Sequence, residues 1–113
     1  MSGPQSVGKA AEDRAAAELL ARGYTLRTRR WRGGGGELDL VALEGDTLVM
    51  VEVKERTAGL TAALESLTPT KRRRLRQAAE AYQAAHELQE HELRFDLALV
   101  TPAGIEWMHG VEI

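Results

Sequence analysis

The chain has 113 residues, and its 15 Lys and Arg against 17 Asp and Glu give a formal net charge of −2. This length suits one domain with a single core, which we place at residues 1–113. The absence of cysteine excludes a disulfide framework and a thiolate metal site. Since no apolar run could span a bilayer and no secretory leader is recognisable, we expect a soluble cytoplasmic protein without a membrane partner.

The first predicted element is an alanine-rich helix. Ser6 is its candidate N-cap, and Gly23 is suited to end it. On a helical wheel Glu12 lies among small and apolar residues, on the side that packs. An acid on that side is unusual, so Glu12 either lies at the edge of the packed stripe or belongs to a polar site.

A strand at residues 24–31 and a glycine run at 33–36 come next. The run does not match a phosphate-binding loop, because no Lys-Ser/Thr follows it and no helix begins there. Its glycines predict a mobile loop.

Apolar and polar residues then alternate on both sides of Gly45-Asp46, which predicts two antiparallel strands joined by a two-residue turn. This turn sets Asp39 opposite Glu52, and Glu37 opposite Lys54. Because side chains alternate between the faces of a strand, Asp39, Glu52 and Lys54 project to the same side.

The facing acids Asp39 and Glu52 predict a metal site. Two carboxylates that face each other repel, and a fold tolerates this when a cation lies between them. The alternative is a surface hairpin with a Glu37–Lys54 salt bridge. The opposite face of the hairpin is apolar throughout, which favours a sheet covered on both sides; that face comprises Leu38, Leu40, Ala42, Val49, Val51 and Val53.

Residues 57–67 predict a second loop, and Thr68-Pro69 predicts the cap and first turn of a second helix. Lys71 falls at the N-terminal end of its apolar stripe and is expected to aim at the acids. Arg72, Arg73 and Arg76 are expected to point outward. The stripe consists of Leu75, Ala78, Tyr82 and Ala85.

Two strands, at 93–100 and 105–109, end the predicted order. A turn at Pro102-Ala103-Gly104 joins them, and Asp96 is expected to pair with a nearby arginine as a structural group. His86, His91 and His109 show no metal-ligand spacing.

The basic residues are segregated along the chain, which predicts a positive surface despite the negative total. A single run is ordinarily a solvated face, whereas two runs flanking an acidic site favour a phosphate track. The runs are Arg27, Arg29, Arg30 and Arg32, then Lys71, Arg72, Arg73, Arg74 and Arg76.

Asp39 followed by Glu52-x-Lys54 resembles the PD-(D/E)xK nuclease signature. More specifically, Gly36-Glu37-Leu38-Asp39-Leu40 with Val51-Glu52-Val53-Lys54-x-Arg56 resembles the bacterial YraN-type family of small predicted endonucleases, relatives of archaeal Holliday-junction resolvases. Three further segments are similar to the family: Gly8-x-x-Ala11-Glu12, the stretch from Glu65-Ser66-Leu67 to Lys71, and Arg94-Phe95-Asp96. In the first of them Ala11 stands where the family usually has glycine.

The resemblance implies a restriction-endonuclease-like α/β fold, a mixed sheet flanked by helices in the order α-β-β-β-α-β-β. It implies a metal-dependent endonuclease that hydrolyses phosphodiester bonds in structured or branched DNA. The implied catalytic residues are Asp39, Glu52, Lys54 and Glu12, and the implied ligands of Mg²⁺ or Mn²⁺ are Asp39, Glu52, the Val53 carbonyl and Glu12. Expected DNA contacts are Arg30, Arg32, Arg56, Lys71, Arg72, Arg73 and Arg76.

Two other functions stay open at this point. One is a nucleic-acid-binding module on the same fold, with cleavage absent or conditional. The other is a phosphohydrolase of a different substrate class, which the lack of a nucleotide-pocket motif disfavours. A homodimer is also left open.

Overall fold

The computed structural model describes residues 8–113, which form a five-stranded mixed sheet with helices on both faces. The strands lie in the order β1-β2-β3-β4-β5; β3 and β4 are parallel and the other neighbours antiparallel. The elements are α1 Lys9–Ala21, β1 Thr25–Gly33, β2 Gly36–Glu44, β3 Thr47–Glu55, α2 Leu60–Glu65, α3 Pro69–His86, β4 Glu92–Thr101 and β5 Gly104–Met108.

The predicted α/β class and element order are thus confirmed, with α2 as an addition. The prediction that 57–67 is only a loop is wrong, because Leu60–Glu65 form a short helix whose Ala63 is fully buried. No helix of the described part is long and apolar enough to cross a membrane.

Each face of the sheet carries its own apolar cluster. On one face Leu40, Val51 and Val53 pack with Ala15 and Leu19 of α1. The opposite cluster joins β2 and β3 to α2 and α3; among its members are Val41, Leu48, Met50, Ala63, Leu75, Ala78 and Tyr82. Both faces of the hairpin are covered, as its patterning predicts.

The β2–β3 hairpin has the predicted turn, and its predicted register is confirmed for five pairs, which do not include the predicted pairs Asp39–Glu52 and Glu37–Lys54. Glu44 pairs with Thr47 across Gly45-Asp46, and the pairing continues to Leu40 and Val51. Leu38 is an exception, because it packs in the α3-side cluster and not beside Leu40.

Strict alternation therefore breaks at Asp39, and the predicted place of Leu38 is wrong. Two local features accompany the break. The Asp39 carboxylate accepts the Val53 N–H at 2.9 Å. In the neighbouring strand Arg30 lies between the partners of Leu38 and Leu40 with a φ of +52°, which interrupts the regular pleat.

The glycine run forms a hairpin turn, so the predicted loop is wrong. Gly33 pairs with Gly36, and Gly34 and Gly35 have φ values of +62° and +85°, as a tight turn between twisted strands requires. A Cβ on Gly34 would lie 2.5 Å from the Gln77 carbonyl oxygen. The turn therefore rests directly on the main chain of α3.

Because the turn contacts the main chain of α3 at Gly34 and not at Gly35, alanine substitutions at these two glycines should lower stability by different amounts. Gly34 and Gly35 both have positive φ, so each Ala substitution costs about 1–2 kcal/mol in backbone strain. At Gly35 the nearest atom to an added Cβ is the flexible end of Gln77, 3.9 Å away. Gly34→Ala should cost about 1–3 kcal/mol more than Gly35→Ala in urea unfolding, because α3 must shift. Equal costs would show that α3 is not held on the turn.

Helix α3 begins as predicted. The Thr68 hydroxyl accepts the Lys71 N–H at 3.2 Å, and Pro69 occupies the first turn. Its buried residues are Leu75, Ala78, Ala79 and Tyr82. Ala85, predicted in the stripe, is exposed, because the helix ends soon afterwards at Glu87 in the left-handed region.

Helix α1 ends at Ala21, and Gly23 follows with a φ of +90°, in agreement with its predicted role. The predicted cap Ser6 lies outside the described residues. Glu12 is buried on the packed side, with 3 % of its surface exposed.

Asp96 on β4 is the second buried acid, and its predicted structural role is confirmed. Its carboxylate receives hydrogen bonds from Arg94 at 2.9 and 3.0 Å and from the Gly110 N–H at 3.0 Å. His109 Nδ1 lies 2.8 Å away. These contacts tie β4 to the segment that follows β5.

Candidate metal and nucleic-acid site

Three predicted site residues come together near one edge of the sheet. Asp39 lies near the start of β2, and Glu52 and Lys54 lie near the end of β3. Asp39 is close enough to Glu52 to share a hydrogen bond with its carboxyl group. Lys54 Nζ lies 3.6 Å from Glu52 Oε2. The structure thus unites an acid pair with a lysine.

Burial and the neighbouring charge of Glu52 raise the pKa of Asp39 to about 8, although the Val53 N–H opposes the shift. The pair therefore retains a proton at neutral pH unless a cation replaces it. The charge of Lys54, together with burial, lowers the pKa of Lys71. Lys71 therefore lies close enough to Lys54 for the two charges to interact.

The alternative Glu37–Lys54 salt bridge is not the arrangement in the structure. Lys54 lies on Glu52, while Glu37 pairs with Arg32 at 3.6 Å. A simple cross-strand pair on a solvated hairpin therefore does not account for these charges.

Glu12 takes a different partner from the one that the resemblance implies. Arg30 Nε donates to both of its carboxylate oxygens, at 3.0 and 2.9 Å, and Arg29 lies 3.7 Å away. Its charge still contributes to the raised pKa of Asp39. Within residues 8–113, however, no three acidic, histidine or cysteine side chains are grouped to hold a metal. A buried carboxylate needs a cationic partner, and Arg30 supplies it.

The available oxygen donors are thus the Asp39 and Glu52 carboxylates, with the Val53 carbonyl next to them in sequence. Hard divalent cations such as Mg²⁺ and Mn²⁺ prefer such oxygen ligands and usually keep several waters. Two carboxylates that share a proton fit one of these ions, because the ion removes their repulsion.

An open groove of about 660 Å³ lies beside the acid pair. The glycine turn and the N-terminal half of α3 line it, together with Glu52. Arg32 comes from the first basic run, and Lys71 and Arg74 come from the second. Both runs therefore contribute cations to one concave surface next to the acids.

Arg74 is not among the sequence-predicted contacts, yet it lines this groove. Lys71 and Arg74 are three residues apart, and residues at that spacing lie on the same side of a helix. The helical spacing of Lys71 and Arg74 could therefore have predicted that Arg74 lies in the groove beside Lys71.

Other arginines of the two runs have structural partners. Arg72 donates to the Leu67 carbonyl at 2.8 Å and to the Glu112 carbonyl, and Arg76 donates to the Ile113 carbonyl. The predicted outward orientation is wrong for Arg72, which is half-buried, whereas Arg76 is exposed as predicted although it binds a main-chain oxygen. Arg73 is exposed.

Arg56 lies apart from the groove, with 91 % of its side chain exposed. In β1, Arg27 donates to the Tyr82 hydroxyl at 3.2 Å, and Arg29 pairs with Asp13. Some residues of the two basic runs thus line the groove, while others form ion pairs or contact side chains of α3.

A family model described as "Uncharacterised protein family UPF0102" matches residues 11–100, which include the acid pair and the groove residues. The chain belongs to the UPF0102 family. The YraN-type resemblance drawn from the motifs is thereby confirmed.

Three curated UPF0102 relatives match over roughly three quarters or more of their lengths. A UPF0102 protein of Nitratidesulfovibrio vulgaris is 47 % identical over 100 residues, which cover 88 % of this chain and 75 % of the relative. Another, from Bradyrhizobium diazoefficiens, is 43 % identical and covers 87 % and 74 %. A third, from Ralstonia nicotianae, is 42 % identical and covers 97 % and 91 %.

Proposed function

We propose that this UPF0102 protein is a metal-dependent nuclease that hydrolyses phosphodiester bonds in DNA. The observation that carries the proposal is the position of the Asp39–Glu52 pair and Lys54 beside a groove lined by Arg32, Lys71 and Arg74. Cations on the groove walls suit a phosphate backbone. A binding surface alone has no need of a repulsive pair of half-buried acids.

Asp39, Glu52 and the Val53 carbonyl would hold Mg²⁺ or Mn²⁺. When bound, such an ion polarises a phosphoryl oxygen and lowers the pKa of water. Lys54 would orient the attacking water and stabilise negative charge that develops on the phosphate. Arg32, Lys71 and Arg74 would position the strand through phosphate contacts, which carry no sequence information themselves.

The test is a panel of flapped, single-stranded, duplex and four-way-junction DNA, incubated with Mg²⁺ or Mn²⁺ and with EDTA as control. We expect metal-dependent strand scission of at least one structure, with branched DNA favoured by the family resemblance. If no member of the panel is cut with either metal, the nuclease proposal is wrong.

The Glu12–Arg30 pair favours a second candidate, a nucleic-acid-binding module without cleavage. Arg30 occupies both oxygens of the acid that would complete a larger carboxylate cluster. Retarded migration of the same DNA panel without scission, in the presence of metal, would identify this function.

The acid pair also predicts how stability depends on pH. The folded-state pKa of Asp39 is about 8, above its ordinary value, so the folded state retains a proton that the unfolded state has released. Stability should therefore fall as pH rises from about 4 to about 8, by up to a few kcal/mol in EDTA. Asp39→Asn should remove this fall, since its side chain does not titrate.

Thermal unfolding across this pH range, in EDTA and in Mn²⁺, provides the measurement. Mn²⁺ should raise the melting temperature of the wild type at pH 8 and leave that of Asp39→Asn nearly unchanged. Parallel pH profiles for the two proteins in EDTA would contradict the shared-proton description of the pair.

A further inference from the structure

A second concave surface lies at the ends of β3 and β4. It has a volume of about 410 Å³, and its polar lining comes from Arg14, Glu55, Arg56, Thr57 and Thr101. Arg14 extends from α1, so the surface lies between this helix and the two strand ends. The groove and its cations contribute nothing to this lining.

Arg56 has an unusual backbone conformation for its residue type. Its φ is +57°, in the left-handed region that favours glycine. A non-glycine residue held there costs about 1–3 kcal/mol unless the surroundings compensate for it. With 91 % of its side chain exposed and Glu55, at 3.7 Å, as its ion-pair partner among residues 8–113, Arg56 gains little from packing. Local stability therefore does not account for an arginine at this position.

The other charges of the surface are arranged around Arg56. Arg14 is exposed, and its guanidinium donates to the Thr101 carbonyl at 2.7 Å, which fixes the cation at the rim. Glu55 is the opposing charge; it accepts the Gly8 N–H at 3.3 Å and lies against Arg56. Two arginines against one partly satisfied carboxylate leave the surface net positive.

This surface and the groove open at the same edge of the sheet. The groove contains Gly33 at the end of β1 and Glu52 near the end of β3. The second surface contains Glu55 and Thr101, at the ends of β3 and β4. Because β1, β3 and β4 run in the same direction, all these ends lie along one edge. Glu52 belongs to the groove, which lies on the α3 face of the sheet, whereas the second surface lies beside α1 on the other face.

The spacing suits one nucleic-acid strand. The chain is extended from Glu52 to Glu55, which corresponds to roughly 10 Å, and Arg56 follows directly. B-form DNA carries one phosphate per roughly 3.4 Å of axis on each strand, so this distance spans roughly three nucleotide steps.

We propose that Arg14 and Arg56 form a second phosphate-binding subsite, which holds the nucleic-acid strand where it crosses this edge of the sheet from the groove to the α1 face. This subsite rests on the proposed function, because it extends the path of the same strand. Its contacts are to phosphates, so it adds affinity and positioning without sequence preference.

The experiment measures binding of fluorescent duplex and junction DNA at several salt concentrations in EDTA. Removing one phosphate contact should lower the slope of log K against log salt by about 1, so Arg14→Ala with Arg56→Ala should lower it by about 2. Affinity at about 0.1 M salt should fall tenfold or more. Arg56→Lys should retain the slope, because it retains the charge.

Two further variants separate binding from structure. Arg56→Gly relieves the strained backbone, so it should be at least as stable as the wild type and still reduce the slope as much as Arg56→Ala does. Arg22→Ala removes a charge at the other end of α1, where Arg22 pairs with Glu18 at 2.7 Å, and should leave the slope unchanged.

The outcomes distinguish this proposal from the proposed function. If the wild type binds DNA with a slope that Arg56→Ala and Arg56→Gly do not alter, the subsite is wrong and the nuclease proposal stands. If the wild type binds none of the DNA structures in EDTA, the subsite is overturned, and cleavage of the DNA panel with Mg²⁺ or Mn²⁺ alone decides the nuclease proposal. Should Arg14→Ala unfold, the two Arg56 variants alone decide the matter.

Discussion

Asp39→Asn and Lys54→Ala should each reduce DNA cleavage by a factor of about 100 or more while DNA affinity changes little. Asp39→Asn removes a ligand charge but keeps an oxygen that can accept the Val53 N–H, now at 2.9 Å. Lys54→Ala removes the cation that lies 3.6 Å from Glu52. Loss of one transition-state partner costs about 3 kcal/mol, which corresponds to this factor.

The measurement is single-turnover cleavage of the best substrate from the DNA panel, with binding measured in EDTA. Glu80→Gln is the control, since Glu80 is exposed on α3 and lies outside both the groove and the acid pair. It should retain most activity. Cleavage that survives both site substitutions would place the chemistry elsewhere.

Arg94→Ala should destabilise the protein by about 3–5 kcal/mol, the largest stability effect expected of a single charge here. It removes the main partner of Asp96, whose side chain is fully buried, and leaves that carboxylate poorly compensated. Arg94 also binds Glu44 and Tyr24, so the substitution removes these two hydrogen bonds as well. Urea unfolding at pH 7 measures the loss of stability.

The pH dependence of this network has the opposite sign to that of the Asp39 pair. Burial alone would raise the pKa of Asp96, but hydrogen bonds from Arg94, His109 and Gly110 hold it below its ordinary value. Its stabilising contribution is complete above the unfolded pKa near 4 and is lost as pH falls through the folded value. Arg22→Ala, at an exposed pair, should cost no more than about 1 kcal/mol. Similar losses for Arg94→Ala and Arg22→Ala would contradict the buried-network account.

Local patterning predicted the centre of the site well. The turn at Gly45-Asp46 and the alternation around it fix the register as far as Leu40 and Val51, and this brings Asp39 to Glu52. The start of α3 could also be predicted from neighbouring residues, since Thr68 caps the first turn of this helix. These features depend on residues close together in sequence.

The errors concern contacts between distant segments. Nothing near Gly34 in sequence shows that the Gln77 carbonyl will lie against it. This contact holds the glycine run as a hairpin turn against α3, where the sequence predicts a mobile loop. Likewise Arg72 binds the Glu112 carbonyl, and Glu12 binds Arg30 across the fold. A charge pattern shows that an arginine needs a partner, but tertiary packing decides between an acid, a carbonyl and solvent.

The shape of the groove and its charge depend on different residues: the glycines of the turn set the shape, and the basic side chains set the charge. Gly36 as well as Gly34 approaches main-chain oxygens of α3, at Arg74 and Gln77, so contacts between backbones set the distance between the walls. The cations on those walls project from this frame and do not hold it together. Substitution of Arg32 or Lys71 should therefore change the charge of the groove and leave its width unchanged. Substitution of Gly34 or Gly36 should change the width, because an added Cβ would displace α3.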